Sequence, residues 1–135
     1  MTLDRSTITV LVVEDEALLR LELVVELQFD GYTVLEAGSG EEALIQLDDG
    51  QRIDVVITDI QLGGALTGWD VAEKFRVDYP DMLVIYTSGN AGDHARKVSG
   101  SVFFNKPYRT ADISKVCRAL GCAVASEPRG KATGT

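Results

Sequence analysis

The chain has 135 residues, 45% of them hydrophobic and 25% charged, and a formal net charge of -8. That is the size of one domain, with enough apolar content to bury a core without disulfides or a structural metal. The negative balance excludes function classes that need a basic face, namely non-specific nucleic-acid binding and attachment to anionic membranes.

No apolar run is long enough to span a bilayer, and the first residues lack the charged-then-apolar pattern of a signal peptide. Cys117 and Cys122 form neither a CxxC pair nor a ligand cluster, so reduced thiols and a cytoplasmic location are expected.

The first predicted element is the run Ile8 to Val13, short, rich in β-branched residues and therefore a strand buried on both faces. It stops at Glu14-Asp15-Glu16. Leu18, Leu21, Val25 and Phe29 then recur at helical spacing, and Gly31 supplies a stop. A second strand is expected over Thr33 to Ala37. Ser39 with Glu42 reads as a capping box opening a helix through Ala43, Leu44 and Leu47.

Ile53 to Thr58 is the third strand, and it ends at Asp59. Thr67 with Asp70 repeats the capping device before Val71, Ala72 and Phe75. Leu83 to Thr87 is the fourth strand. Between Asn90 and Gly100 only Ala95 and Val98 are plausible apolar contacts, so the helix expected there is short or poorly ordered. Val102 to Asn105 is the fifth strand. The last helix carries Ile113, Val116, Cys117 and Leu120 on one face and ends at Gly121.

Strands alternating with helices imply an α/β protein with a doubly wound, five-stranded parallel sheet. The domain is expected over 7–121, with flexible tails at 1–6 and 122–135. Such sheets bind ligands beyond the carboxyl ends of their strands, where strand order reverses.

Those ends carry a coherent set of groups. Glu14, Asp15 and Glu16 follow the first strand, where a dinucleotide site would need glycines. Asp59 ends the third strand, Thr87-Ser88-Gly89 the fourth, and Lys106-Pro107 follows the fifth. Two carboxylates about 5 Å apart repel by about 3 kcal/mol at an effective dielectric near 20, so the acids require neutralisation. Oxygen ligands of this kind suit Mg²⁺, and Lys106 can balance the remaining charge. Metal, carboxylate nucleophile, hydroxyl donor and ammonium are what phosphoryl transfer uses.

Each group has a plainer explanation when taken singly. Asp59 could be a helix cap, Lys106-Pro107 a loop, and the first acids a complement to a helix dipole. Their convergence on one sheet edge favours the functional reading. Gly38-Ser39-Gly40 reads as a turn into a capped helix rather than a phosphate loop. His94 lies in a polar stretch rather than on a bundle helix, and Trp69 reads as packing. An electron carrier of flavodoxin type would need hydroxyls where the first acids stand. A phosphatase with an aspartate nucleophile would need a second acid at Gln61.

The motifs Val13-Glu14-Asp15, Val56-Ile57-Thr58-Asp59, Tyr86-Thr87-Ser88-Gly89 and Phe103-Phe104-Asn105-Lys106-Pro107 resemble those of the receiver domain of two-component response regulators, over about residues 8–120. The resemblance implies a flavodoxin-like (βα)5 fold with strand order 2-1-3-4-5. It makes Asp59 the phospho-acceptor and implies Mg²⁺ held by Glu14, Asp15, Asp59 and the backbone carbonyl of Gln61. Ser88 and Lys106 would contact the phosphoryl group, with Ser88 and Phe103 forming the switch.

Phosphate would come from a histidine kinase or phosphotransfer protein, and the output would pass to a downstream protein target rather than to nucleic acid or membrane. The resemblance further implies a regulator, not an enzyme, apart from intrinsic autophosphotransfer and autodephosphorylation, and a stand-alone domain. The alternative is a receiver-like module that works by protein contact without phosphate. The chain departs from the family pattern in three places. Gly63 stands where proline is common, in a loop one residue longer than usual. The stretch from Ser88 to Lys106 is short, and Phe103 replaces a frequent tyrosine.

Overall fold

The computed structural model describes residues 8–89 and 94–121; the expected tails and the start of the expected fourth helix lie outside them. In chain order the elements are β1 (Thr9–Val13), α1 (Ala17–Phe29), β2 (Thr33–Ala37), α2 (Gly40–Asp48), β3 (Val55–Asp59), α3 (Gly68–Asp78), β4 (Leu83–Ser88), β5 (Val102–Asn105) and α4 (Thr110–Val116). A π-helical turn, Cys117–Gly121, closes the described chain. The strands form one parallel sheet in the order β2-β1-β3-β4-β5, as expected.

Alternation along the central strands splits the core into two layers. Leu11, Val13, Val56, Val84 and Tyr86 point to one face and pack against Ala43 and Leu47 of α2 and Val71, Ala72 and Phe75 of α3. Val10, Val12, Val55, Ile57 and Ile85 point to the other and meet Leu23, Val24 and Leu27 of α1 with Ile113 and Cys117. Phe75 and Tyr86 are fully buried, and burial of a large apolar side chain contributes about 1.5–3 kcal/mol.

Local signals set most of the element ends. Gly31 has φ of 98°, a conformation that costs glycine little. Its N–H donates to the Gln28 carbonyl while Tyr32 N–H donates to Leu27, the two bonds of a Schellman stop. Thr67 and Asp70 form a complete capping box. At α2 only half of the expected box forms: Ser39 accepts from Glu42 N–H, but the Glu42 carboxylate accepts from Gly38 N–H instead of Ser39 N–H.

Three further expectations need correction. The stripe Leu18, Leu21, Val25 and Phe29 is exposed, and α1 buries Leu23, Val24 and Leu27 instead. The helix carries leucine or valine nearly all round, so its spacing fits two faces and the crossover from β1 selects one. Among the described residues no helix stands between β4 and β5; residues 94–100 make turns, with Val98 packing against the core. In the last helix Ile113 and Cys117 are buried, but Leu120, in the final π-helical turn, is 43% exposed.

Candidate functional site

The carboxyl ends of β1 and β3 bring Glu14, Asp15 and Asp59 together, each offering a carboxylate oxygen within 4.8 Å of the others. Glu14 and Asp59 are buried, while Asp15 is exposed. Lys106, just after β5, reaches across the edge. Its Nζ donates to Glu14 Oε1 at 2.9 Å and to Asp59 Oδ2 at 3.0 Å. Lys106 itself is hung from β4 by its backbone N–H, which donates to the Ser88 carbonyl at 2.7 Å. The peptide bond between Lys106 and Pro107 is cis.

Burial pushes the Asp59 carboxyl above its ordinary range; Lys106 and the Gln61 backbone N–H pull it back, and Asp15 adds to the rise. Glu14 is likewise pushed up by burial and by Asp59, against the pull of Glu16 N–H and Lys106. Burial works against the charge of Lys106, yet bonds to Glu14 and Asp59 hold its ammonium above the ordinary lysine value. Tyr108, nearby, is pushed up to about 12 by burial and then by Glu14, so its phenol stays neutral. One ammonium thus serves two buried carboxylates, with a third carboxylate at the mouth.

The loop after β3 is closed by Gly68, whose N–H donates to the Ile60 carbonyl at 2.8 Å. A Cβ on Gly68 would stand 2.2 Å from the Asp59 carbonyl oxygen, so only glycine permits this approach. A Cβ on Gly63 would meet Asp15 Oδ2 at 3.1 Å. The donor set is entirely hard oxygen and anionic, which fits a divalent cation such as Mg²⁺ better than any softer metal.

Ser88 is buried at the end of β4 and pairs in register with Asn105. Phe103, paired with Tyr86, lies in a chain of rings. Trp69 sits 4.7 Å from Tyr86, Tyr86 6.3 Å from Phe103, and the His94 ring stacks on Phe103 at 3.9 Å. Trp69 is therefore packing, as expected. Two contacts were not expected from the sequence: Lys106 bonds Glu14 as well as Asp59, and His94 covers Phe103. The first has no local signal, since 92 residues separate Glu14 from Lys106; the second depends on how the segment before β5 folds back over that strand.

The family model for the response regulator receiver domain matches residues 10–118. The sensor kinase CckA of Brucella abortus is 34% identical over 117 residues, which span 83% of this chain and 12% of that protein. The probable transcriptional regulatory protein TcrX of Mycobacterium tuberculosis is 31% identical over 87% of this chain and 51% of its own length. The chain therefore spans about half or less of these curated relatives. Among solved structures, a response regulator receiver protein from Sinorhizobium medicae superposes with a TM-score of 0.81 at 33% identity, covering 87% of this chain and 96% of that one. TrrA of Thermotoga maritima, solved in complex with Mg²⁺-BeF, gives 0.73 at 28% identity over 84% and 98%.

Proposed function

The chain belongs to the response regulator receiver domain family, signalling regulators of two-component systems, and on that premise we propose that it accepts a phosphoryl group on Asp59. The observation that carries this reading is the pairing of Asp59 with Lys106 at 3.0 Å inside an acidic cluster. Glu14, Asp15 and Asp59 would hold Mg²⁺ with the Gln61 carbonyl. When bound, the cation neutralises the acids and screens the transferring oxygens. TrrA, the relative solved with Mg²⁺-BeF, supports the same assignment.

The chain's own groups do the rest. An Asp59 oxygen attacks the phosphorus of a phosphohistidine, an acyl phosphate forms, and the bond to the imidazole nitrogen breaks. Lys106 exchanges its bond to Asp59 for one to a phosphoryl oxygen. The Ser88 hydroxyl donates to another, and Phe103 responds to the movement of Ser88. Autophosphotransfer and autodephosphorylation belong to the same reading, as do a histidine kinase or phosphotransfer protein as donor, a downstream protein target and a cytoplasmic setting. A net charge of -8 supports a partner other than nucleic acid or an anionic membrane. Among the described residues no helix is long and apolar enough to cross a membrane. The intact acid and lysine set speaks against a module that dispenses with phosphate.

Acetyl phosphate with Mg²⁺ tests the assignment. Asp59→Asn, nearly isosteric, should keep the fold and lose labelling. Full labelling of that variant at another residue would falsify it.

A further inference from the structure

We propose that Glu41, in the first turn of α2, is a positioning residue for the loop after β3 and through it for the metal site; this rests on the reading of that site given above. The loop from Gln61 to Thr67 has no regular structure and holds two adjacent glycines, Gly63 and Gly64. Its ends are tied where Gly68 N–H meets the Ile60 carbonyl. Its body rests on α2. Leu66 Cβ and Leu62 Cδ1 lie 2.8 and 3.6 Å from where a Gly40 Cβ would stand, so the loop's apolar side chains need that glycine.

The outer tip is held by Glu41. Its carboxylate accepts from Ala65 N–H at 3.3 Å. The same two oxygens lie 2.9 and 3.0 Å from the position of a Gly64 Cβ, so the carboxylate occupies the space that a side chain at 64 would take. One residue earlier the loop passes Asp15, whose Oδ2 would stand 3.1 Å from a Cβ on Gly63. The Gln61 N–H, on the inner limb, bonds the Asp59 carboxylate. A backbone rich in glycine has more freedom to lose on ordering than any other. Here the Glu41 bond is what fixes the tip, and with it the distance of Gln61 and Gly63 from the carboxylates. Glu41 touches no reacting atom and acts only by placing this backbone.

The test is the Mg²⁺ dissociation constant of the full chain, by calorimetry, beside the melting temperature without metal. Glu41→Ala should weaken Mg²⁺ roughly tenfold, the scale seen when a partner that orients a metal ligand is removed. Its metal-free melting temperature should match that of Glu41→Gln, because both lose the same charge from the first turn of α2 and the side chain is exposed. Glu41→Gln keeps an acceptor for Ala65 N–H and should bind like the parent. Gly64→Ala, whose methyl displaces the carboxylate, should follow Glu41→Ala.

Parent affinity in Glu41→Ala overturns the proposal. So does Glu41→Gln falling as far as Ala, which would make the effect one of charge. A metal-free melting temperature in Glu41→Ala well below that of Glu41→Gln also overturns it, since Glu41 would then be holding the fold as a whole. A parent that binds no Mg²⁺ removes the metal reading and this proposal together, whereas a parent that binds beside an unaffected Glu41→Ala removes only this one.

Discussion

Lys106 sets the protonation behaviour of the site because its single ammonium holds two buried carboxylates, Glu14 and Asp59. Burial already pushes both acids up; Lys106 is the main force drawing Asp59 down, and at Glu14 it acts beside the Glu16 N–H. A carboxyl whose folded value lies above its unfolded value favours folding below the unfolded value and loses that contribution as pH rises through the folded one. Lys106→Ala should therefore push both acids further up and make their ionisation more costly to the fold. We expect a loss of about 1–3 kcal/mol near pH 8, between the worth of an exposed pair and that of a buried one. The deficit should shrink toward pH 5 as the acids take up protons. Urea unfolding at the two values checks it, and an equal loss at both would show that Lys106 acts by packing.

Helix α1 shows what an element leaves open. Its residues alternate poorly between faces, and Leu18 and Phe29 stand 73% and 88% exposed while Leu27 is fully buried. Truncating a buried leucine costs the transfer of its atoms plus a cavity. Leu27→Ala should therefore lose about 2–5 kcal/mol, and Phe29→Ser should stay within about 0.5 kcal/mol of the parent. Equilibrium unfolding of the two variants decides which face the helix buries. The reverse ranking would return the helix to the face that its spacing first suggested. The segment between β4 and β5 gives the complementary case. Val98 packs against the core and its N–H donates to the Tyr86 hydroxyl, His94 stacks on Phe103, and Arg96 bonds Asp70 and Glu73 of α3. The segment's described part is thus held by dispersed side-chain contacts rather than by a helical face.

At the scale of the whole molecule, three carboxylates gathered at one sheet edge lead us to expect a fold that responds to a cation. Any ligand that binds the folded state alone stabilises it by mass action. At roughly ten times its dissociation constant, Mg²⁺ should add about 1.4 kcal/mol, or roughly 3–6 °C in melting temperature for a domain of this size. Asp15→Asn should blunt the shift, and an unchanged melting temperature in the parent would count against a metal site here. Much of this architecture was legible in the chain. Strand runs of alternating or continuous β-branched residues, the Thr67 to Asp70 box and the Gly31 stop are local, so spacing located the five strands and the helices that follow the first, second, third and fifth. The positions of Glu14, Asp15, Asp59, Ser88 and Lys106 at strand ends followed, because a parallel sheet sends all of its carboxyl ends to one edge. Tertiary structure alone decided which side of α1 is buried, that turns replace a helix over 94–100, and that Lys106 bonds Glu14 as well as Asp59. It also decided that Glu41 meets the loop after β3. Each of these depends on register and crossover between segments far apart in the chain, and a periodicity read over one or two turns carries no record of such distances.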